Sequence, residues 1–438
     1  MLLNKNNIEN LFYIFITIHL VLWTLVPSLT NYNLPLDTIE ALAWGSNLDW
    51  GFNKHPPASA FFVELFFQIF GNQDWVYYLL SQIFVVFSFF IIFEFSKEIY
   101  KNRILGLLSV LLLEGIYFYN YTTPEFNVYI SELPFWTLTV YYAYKAIFRN
   151  YSKDWILLGL FGAIGFLSHY LFSYLLLSIT FFFIYTFLKN KKFNFKSLIA
   201  LEVFIVALTP HLIWLIDNNY TTIAYGLHRT GSGLNDKELI DYIINPLFFL
   251  LKQIGILFPF WIMLFLLVSK FRFKVNYRDD KFIFLVFINF VPIILIILTS
   301  LITGSKIKTM WLTPFYLYFG IFFIYLFQKI ISLKKLNSFF ISFIFFFILS
   351  PIIYTSISLS QQDKRTDYPG KQIAIKMQHV WNKSYEEPIN FVFGDEWVAG
   401  NLSYHLKSRP VWEGAITKDK LNSLSKFICI DNICVGNR

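Results

Sequence analysis

The sequence predicts a mainly α-helical, polytopic membrane protein of about eleven transmembrane helices, followed by a small C-terminal α/β domain. Of 438 residues, 56% are hydrophobic, 53 are Phe and only 15% are charged, whereas soluble domains carry about 25% charged residues. The apolar residues also fall in runs close to the roughly 20 residues that a helix needs to cross a bilayer. Beyond residue 360 the composition changes, with 11 basic and 9 acidic residues in the last 78.

The runs are 11–29, 75–96, 103–121, 127–147, 154–167, 170–188, 196–216, 246–269, 282–303, 311–328 and 338–358. They are apolar all round rather than striped, as spans are. In the pair 154–188, Ser168-His169-Tyr170 fits either a turn between two helices or a polar notch in one. The first run lacks a small-residue cleavage site and reads as an anchor. Lys and Arg set the orientation. With the N-terminus cytoplasmic, the loops on that side hold 19 basic residues, and the opposite side holds Lys54, Arg229, Lys237, Lys252, Lys306 and Lys308. That asymmetry satisfies the positive-inside rule and puts residues 30–74 and everything after 360 outside. The net charge of +8 is then a topology signal, with no nucleic-acid partner implied.

The chain divides into a membrane domain, 1–360, and an outer domain, 361–438. In the latter, Ile389-Asn-Phe-Val-Phe-Gly394 alternates like a strand, and Asp431-Asn432 is a turn signal. Cys429 and Cys434 flank that turn; they fit a hairpin-closing disulfide or two free thiols. They lack the neighbours that a metal site needs.

The first outer loop carries the chemistry. Residues 34–62 hold Asp37, Glu40 and Asp49, then Lys54-His55-Pro56-Pro57. Asp37 and Glu40 share one face if the segment is helical. The two prolines deny helix to His55 and fix its backbone. A carboxylate there can accept the proton of an attacking hydroxyl, while cationic groups can stabilise a departing phosphate. Glu114, Glu125, Glu132, His169, His211 and Lys252 gather toward the same outer side. Singly each fits a side chain snorkelling to the interface, but together they outline a chamber there. A proton relay would place acids at span centres, where His19 is the main polar residue. There is no nucleotide-binding glycine loop and no DxD pair, so a lipid phosphate suits a sugar donor outside the cell. Bland readings stand beside these. Asp37 also fits a helix N-cap, His55-Pro-Pro a rigid turn, and Pro210-His211 a helix end. Trp44, Trp50 and Trp75 read as interface anchors.

Asp37-Thr-Ile-Glu40-Ala-Leu-Ala-Trp44, His55-Pro-Pro and Phe70-Gly71 resemble the first outer loop of GT-C glycosyltransferases of the protein-mannosyltransferase-like group. That group includes the lipid A aminoarabinose transferases and the rhizobial lipopolysaccharide-core glycosyltransferases. Pro124-Glu-Phe-Asn127, Leu167-Ser-His-Tyr170, Pro210-His211-Leu-Ile-Trp214, Gly394-Asp-Glu-Trp397 through Tyr404, and Arg409-Pro410 extend the likeness. The resemblance implies a GT-C membrane domain, a periplasmic C-terminal domain and a bacterial inner-membrane location. It implies inverting transfer of a sugar from a polyprenyl-phosphate carrier to a lipid or glycolipid acceptor such as lipid A or lipopolysaccharide; no cofactor beyond that donor is expected, and no metal-ligand residues are singled out. It makes Asp37 the catalytic base, with Glu40 and Glu125 as further acids of the site. Lys54, His55 and His169, then His211, Arg229 and Lys252, become candidates for the donor phosphate. Where the family often follows the Asp with Glu, Thr38 stands here. The alternatives are a protein acceptor for the same reaction, or a transporter or flippase of lipid-linked sugars. A membrane-anchored assembly subunit would need none of the loop acids.

Overall fold

Over the described residues, each of the eleven apolar runs is mainly helical. The computed structural model describes residues 5–231, 238–268 and 275–438. Lys237, Lys270, Arg272 and Lys274, which enter the charge count, lie outside the described residues. In chain order the helices are α1 (Lys5–Thr30), α2 (Leu36–Gly45), α3 (Ala58–Phe70), α4 (Asp74–Ile99), α5 (Arg103–Leu111), α6 (Val128–Arg149), α7 (Ser152–Ser168) and α8 (Ser173–Asn190). They continue as α9 (Ser197–Asp217), α10 (Thr221–Arg229), α11 (Asp241–Ile256), α12 (Phe258–Leu267), α13 (Asp280–Thr303), α14 (Phe319–Phe327) and α15 (Leu336–Ser360).

By length and composition, the described residues hold six helices able to cross a membrane, or eight if each of two bent pairs is one span. This is a multi-pass membrane protein. The three remaining runs differ from simple spans for visible reasons. Run 103–121 breaks after α5 into short 3-10 turns. Helix α6 is long but carries Glu132, Lys145 and Arg149 among many Tyr and Thr, and α7 has only 17 residues. The bent pairs are α11–α12, at 50°, and Thr309–Tyr316 with α14, at 52°. Pro259 begins α12 and Pro314 lies inside the second pair; each withholds a backbone N–H, which lets the helix axis turn.

Helix α4 packs against α1 and α6, α7 against α6 and α9, and α5 against α14. At the last contact Gly320 is required, since a Cβ there would lie 1.9 Å from the Ser109 carbonyl oxygen; small residues let membrane helices approach this closely. The interior is aromatic, with Phe12 stacked on Phe93 at 4.1 Å and Trp136 against Phe315 at 4.9 Å. Outward-facing Ile341, Ile344, Phe345, Ile348 and Ile352 of α15 are exposed, as expected of a helix that meets lipid.

Past Ser360 the chain forms α16 (Gly370–Asn382), β1 (Phe391–Phe393), α17 (Val398–His405), β2 (Val411–Trp412), α18 (Lys418–Asn422), β3 (Lys426–Ile430) and β4 (Ile433–Asn437). The sheet order is β2-β1-β4-β3. Strands β1 and β2 are parallel around α17, and the other pairs are antiparallel. Asp431 turns the β3–β4 hairpin with φ of 50°, and a disulfide joins Cys429 to Cys434 across it. This unit is fastened onto α2. The backbone N–H groups of Tyr32 and Asn33 donate to the Thr366 carbonyl at 3.0 and 2.9 Å. Arg409 donates to the Leu42 carbonyl at 2.6 Å and to Glu64 at 2.7 Å.

Candidate active site

Helix α2 exists to present its first turn. Pro35 is its N-cap and Asp37 follows inside the helix, so Asp37 does not cap it. Among the described residues its carboxylate makes no hydrogen bond to protein, while its backbone N–H donates to Glu125 Oε1 at 3.0 Å. Thr38, where the family often has Glu, is buried and donates to the Phe126 carbonyl at 3.1 Å. These two bonds tie the start of α2 to the segment before α6 and set Asp37 beside Glu125.

The loop after α2 is clamped by α9 and α10. His211 lies inside α9 rather than at its end. Its Nδ1 donates to the Trp50 carbonyl at 2.5 Å, and Tyr170 donates to its Nε2 at 2.8 Å; a ring nitrogen facing a carbonyl must carry the proton, which fixes the tautomer. Trp214 donates to Asp49 at 2.7 Å, and Thr222 donates to the Phe52 carbonyl at 2.5 Å. Gly51 lets the Trp214 ring close over the loop, since a Cβ there would meet ring atoms at 2.4 Å. His55 closes a turn by accepting from the Phe52 N–H at 3.0 Å. It is therefore both a rigid turn and a wall residue. Trp44 is not an interface anchor: it is 2% exposed, stacked on Phe52 at 5.5 Å and edge-on to His55 at 5.8 Å. Trp50 and Trp75 are 44% and 45% exposed.

These elements enclose a cavity of about 1080 Å³. Asp37, Glu40, Glu125, Lys54, His55, His169 and Arg229 line it, so seven of the predicted residues meet in one place. His211 does not line it and serves to hold the loop. Lys252, exposed on α11, does not reach it either. Three wall features are illegible in the predicted set: Lys308, Arg365 and the short helix α10. The basic residues of 303–308 stood among the outer-loop charges, which was the available signal for Lys308. Arg365 comes from the far end of the chain, and only the docking of the outer unit brings it in.

The charges are arranged unevenly. Lys54 bridges Glu40 at 2.9 Å and Glu396 at 3.0 Å. Burial pulls its ammonium down, but the two carboxylates hold it above its ordinary range. Burial raises Glu40, partly offset by Lys54. Arg229, Lys308 and Arg365 form no ion pair among the described residues, and with Lys54 their charges act on Asp37. Burial raises Asp37 all the same. Glu125 is pushed up to about 8, by burial and then by the Asp37 charge. His55 is pushed down to about 3, by burial and then by Lys54 and Lys308; it is a neutral imidazole, not the cation a phosphate would prefer. The cavity thus holds two neighbouring carboxyls that burial raises, Glu125 pushed up to about 8 and Asp37 encircled by positive charge that opposes its rise.

Residues 54–214 match the model of a family described as dolichyl-phosphate-mannose-protein mannosyltransferase. No curated protein matches the sequence. Two solved structures share the fold: ArnT from Cupriavidus metallidurans bound to undecaprenyl phosphate, with a TM-score of 0.66, and the same protein in its apo state, with 0.64. Identity is 11% in both cases, over 94% of this chain and 87% of theirs. The chain therefore has the GT-C fold, and over residues 54–214 its sequence is similar to that of the protein-mannosyltransferase-like glycosyltransferases.

Proposed function

We propose that the chain is an inner-membrane glycosyltransferase that moves a sugar from a polyprenyl-phosphate donor to a lipid or glycolipid acceptor of the lipid A or lipopolysaccharide type. The observation that carries this is a carboxylate, Asp37, that makes no hydrogen bond among the described residues, in a cavity where three cations without carboxylate partners among those residues also converge. Asp37 takes the proton of the acceptor hydroxyl as that oxygen attacks the anomeric carbon from the face opposite the phosphate. The sugar–phosphate bond breaks with inversion, and the charge left on the lipid phosphate falls to Arg229, Lys308 and Arg365. Glu125 keeps its proton and leaves the negative charge on Asp37. Lys54, held by Glu40 and Glu396, positions the loop and enters phosphate binding only by leaving those partners. The cavity faces the periplasm, as does the unit 361–438, and Arg365, Glu396 and Trp397 of that unit complete its wall.

The matched family model, named for protein mannosylation, favours a protein acceptor as the second reading. One experiment separates the two. Mass spectrometry of envelope lipids and of periplasmic proteins from a deletion strain and its parent locates the missing sugar. Loss of a sugar from lipid supports the first reading, loss from protein the second, and two unchanged profiles refute both.

A further inference from the structure

One acid beside the cavity has no part in the reaction above. Glu132, in the first turn and a half of α6, is fully buried, and neither carboxyl oxygen has a hydrogen-bond partner among the described residues. The one ion-pair partner within reach among the described residues is His169, whose Nδ1 lies 3.9 Å from Glu132 Oε1. That is too long for a hydrogen bond and close enough for small side-chain rotations to make one. His169 sits in the extended break between α7 and the 3-10 turn before α8. Its Nδ1 is buried and without a hydrogen-bond partner among the described residues, while the residue lines the cavity. The titratable groups packed against it are Glu132 and Tyr129 of α6, the latter with rings 5.0 Å apart, and His55 at 5.8 Å. Leaving a buried carboxyl and a buried ring nitrogen both unsatisfied is costly, and such residues at membrane depth usually carry function.

We infer that Glu132 is a positioning residue that supplies a proton to His169 when an anionic phosphate enters the cavity. The proton leaves the Glu132 carboxyl and joins His169 Nδ1 as the two close into a hydrogen bond. No other bond forms or breaks. The product is a buried carboxylate–imidazolium pair whose Nε2–H donates to a phosphate oxygen. A cation thus forms only when an anion is there to meet it, and the empty cavity is spared an unpaired buried charge. This rests on the reading of the cavity as a lipid-phosphate site.

The full-length protein in nanodiscs, titrated with undecaprenyl phosphate, tests it. Glu132→Gln keeps the shape but has no proton to give, and should weaken binding at least about tenfold, the scale of one charge-assisted hydrogen bond. Adding His169→Lys to that variant supplies a permanent charge and should restore the affinity. An infrared difference spectrum of the wild type on adding undecaprenyl phosphate should show a protonated carboxyl band lost and a carboxylate band gained. That measurement stands even if the variants fold poorly. Wild-type affinity in Glu132→Gln, failure of the lysine to rescue, or an unchanged carboxyl band would each overturn the inference and leave the donor reading intact. No binding by the wild type would overturn both.

Discussion

Arg409 holds the outer unit to the membrane domain, and removing it should open that contact. Its guanidinium donates to Glu64 at 2.7 Å, to the Leu42 carbonyl near the end of α2 at 2.6 Å and to Ser403 at 2.8 Å. It also lies 4.2 Å from the centre of the Phe67 ring. Arg409→Met leaves Glu64, which is 5% exposed, as an uncompensated buried charge. Breaking such a pair costs about 3–5 kcal/mol, which is roughly a hundred- to several-thousandfold in the population of locally open molecules. Hydrogen exchange of the α2 and α17 amides reads this directly, because those helices pack on each other. Replacing both partners, Arg409→Met with Glu64→Met, removes the stranded charge and should recover most of the protection. Unchanged exchange in the single variant, or a double variant as open as the single, would refute the assignment of Arg409 as the clamp.

Other consequences follow from the same geometry. Glu125 keeps its proton to about 8 in the folded chain, against an ordinary 4.5. The folded state therefore holds an extra proton between those values and loses stability as pH rises through them; Glu125→Gln should flatten that part of the melting-temperature profile. Lys308→Ala and Arg365→Ala should each weaken donor binding roughly ten- to a hundredfold, the scale of a lost charge-assisted contact, measured as KM for the lipid-phosphate sugar. Gly51→Ala forces a methyl group into the Trp214 ring and should cost about 1–3 kcal/mol in overpacking, seen as a lower melting temperature and reduced turnover.

The local half of the site is written in consecutive residues. Asp37, Glu40, Lys54 and His55 lie within one loop, and alternation of sides between spans suffices to add Glu125 and His169. What the sequence conceals is set by closure of the chain. Arg365 reaches the cavity only because Thr366 accepts hydrogen bonds from Tyr32 and Asn33. His211 reads as a ligand for phosphate until its two ring nitrogens are found engaged by Trp50 and Tyr170. Lys54 looks like a free cation until Glu396 arrives from the outer unit. Trp44 has the composition of an interface anchor and the position of a core residue, and no pattern separates the two. Hydropathy located the long apolar helices but not the short α3 and α10, and it carries no information on where Pro259 and Pro314 accompany the two bends.

The reaction stands or falls with the carboxylate at the start of α2. Turnover of Asp37→Asn, with a radiolabelled undecaprenyl-phosphate sugar and an acceptor that the wild type uses, should drop about 10²–10⁴-fold, as loss of a general base does, while affinity for undecaprenyl phosphate stays the same or rises. Turnover like the wild type's would contradict the account.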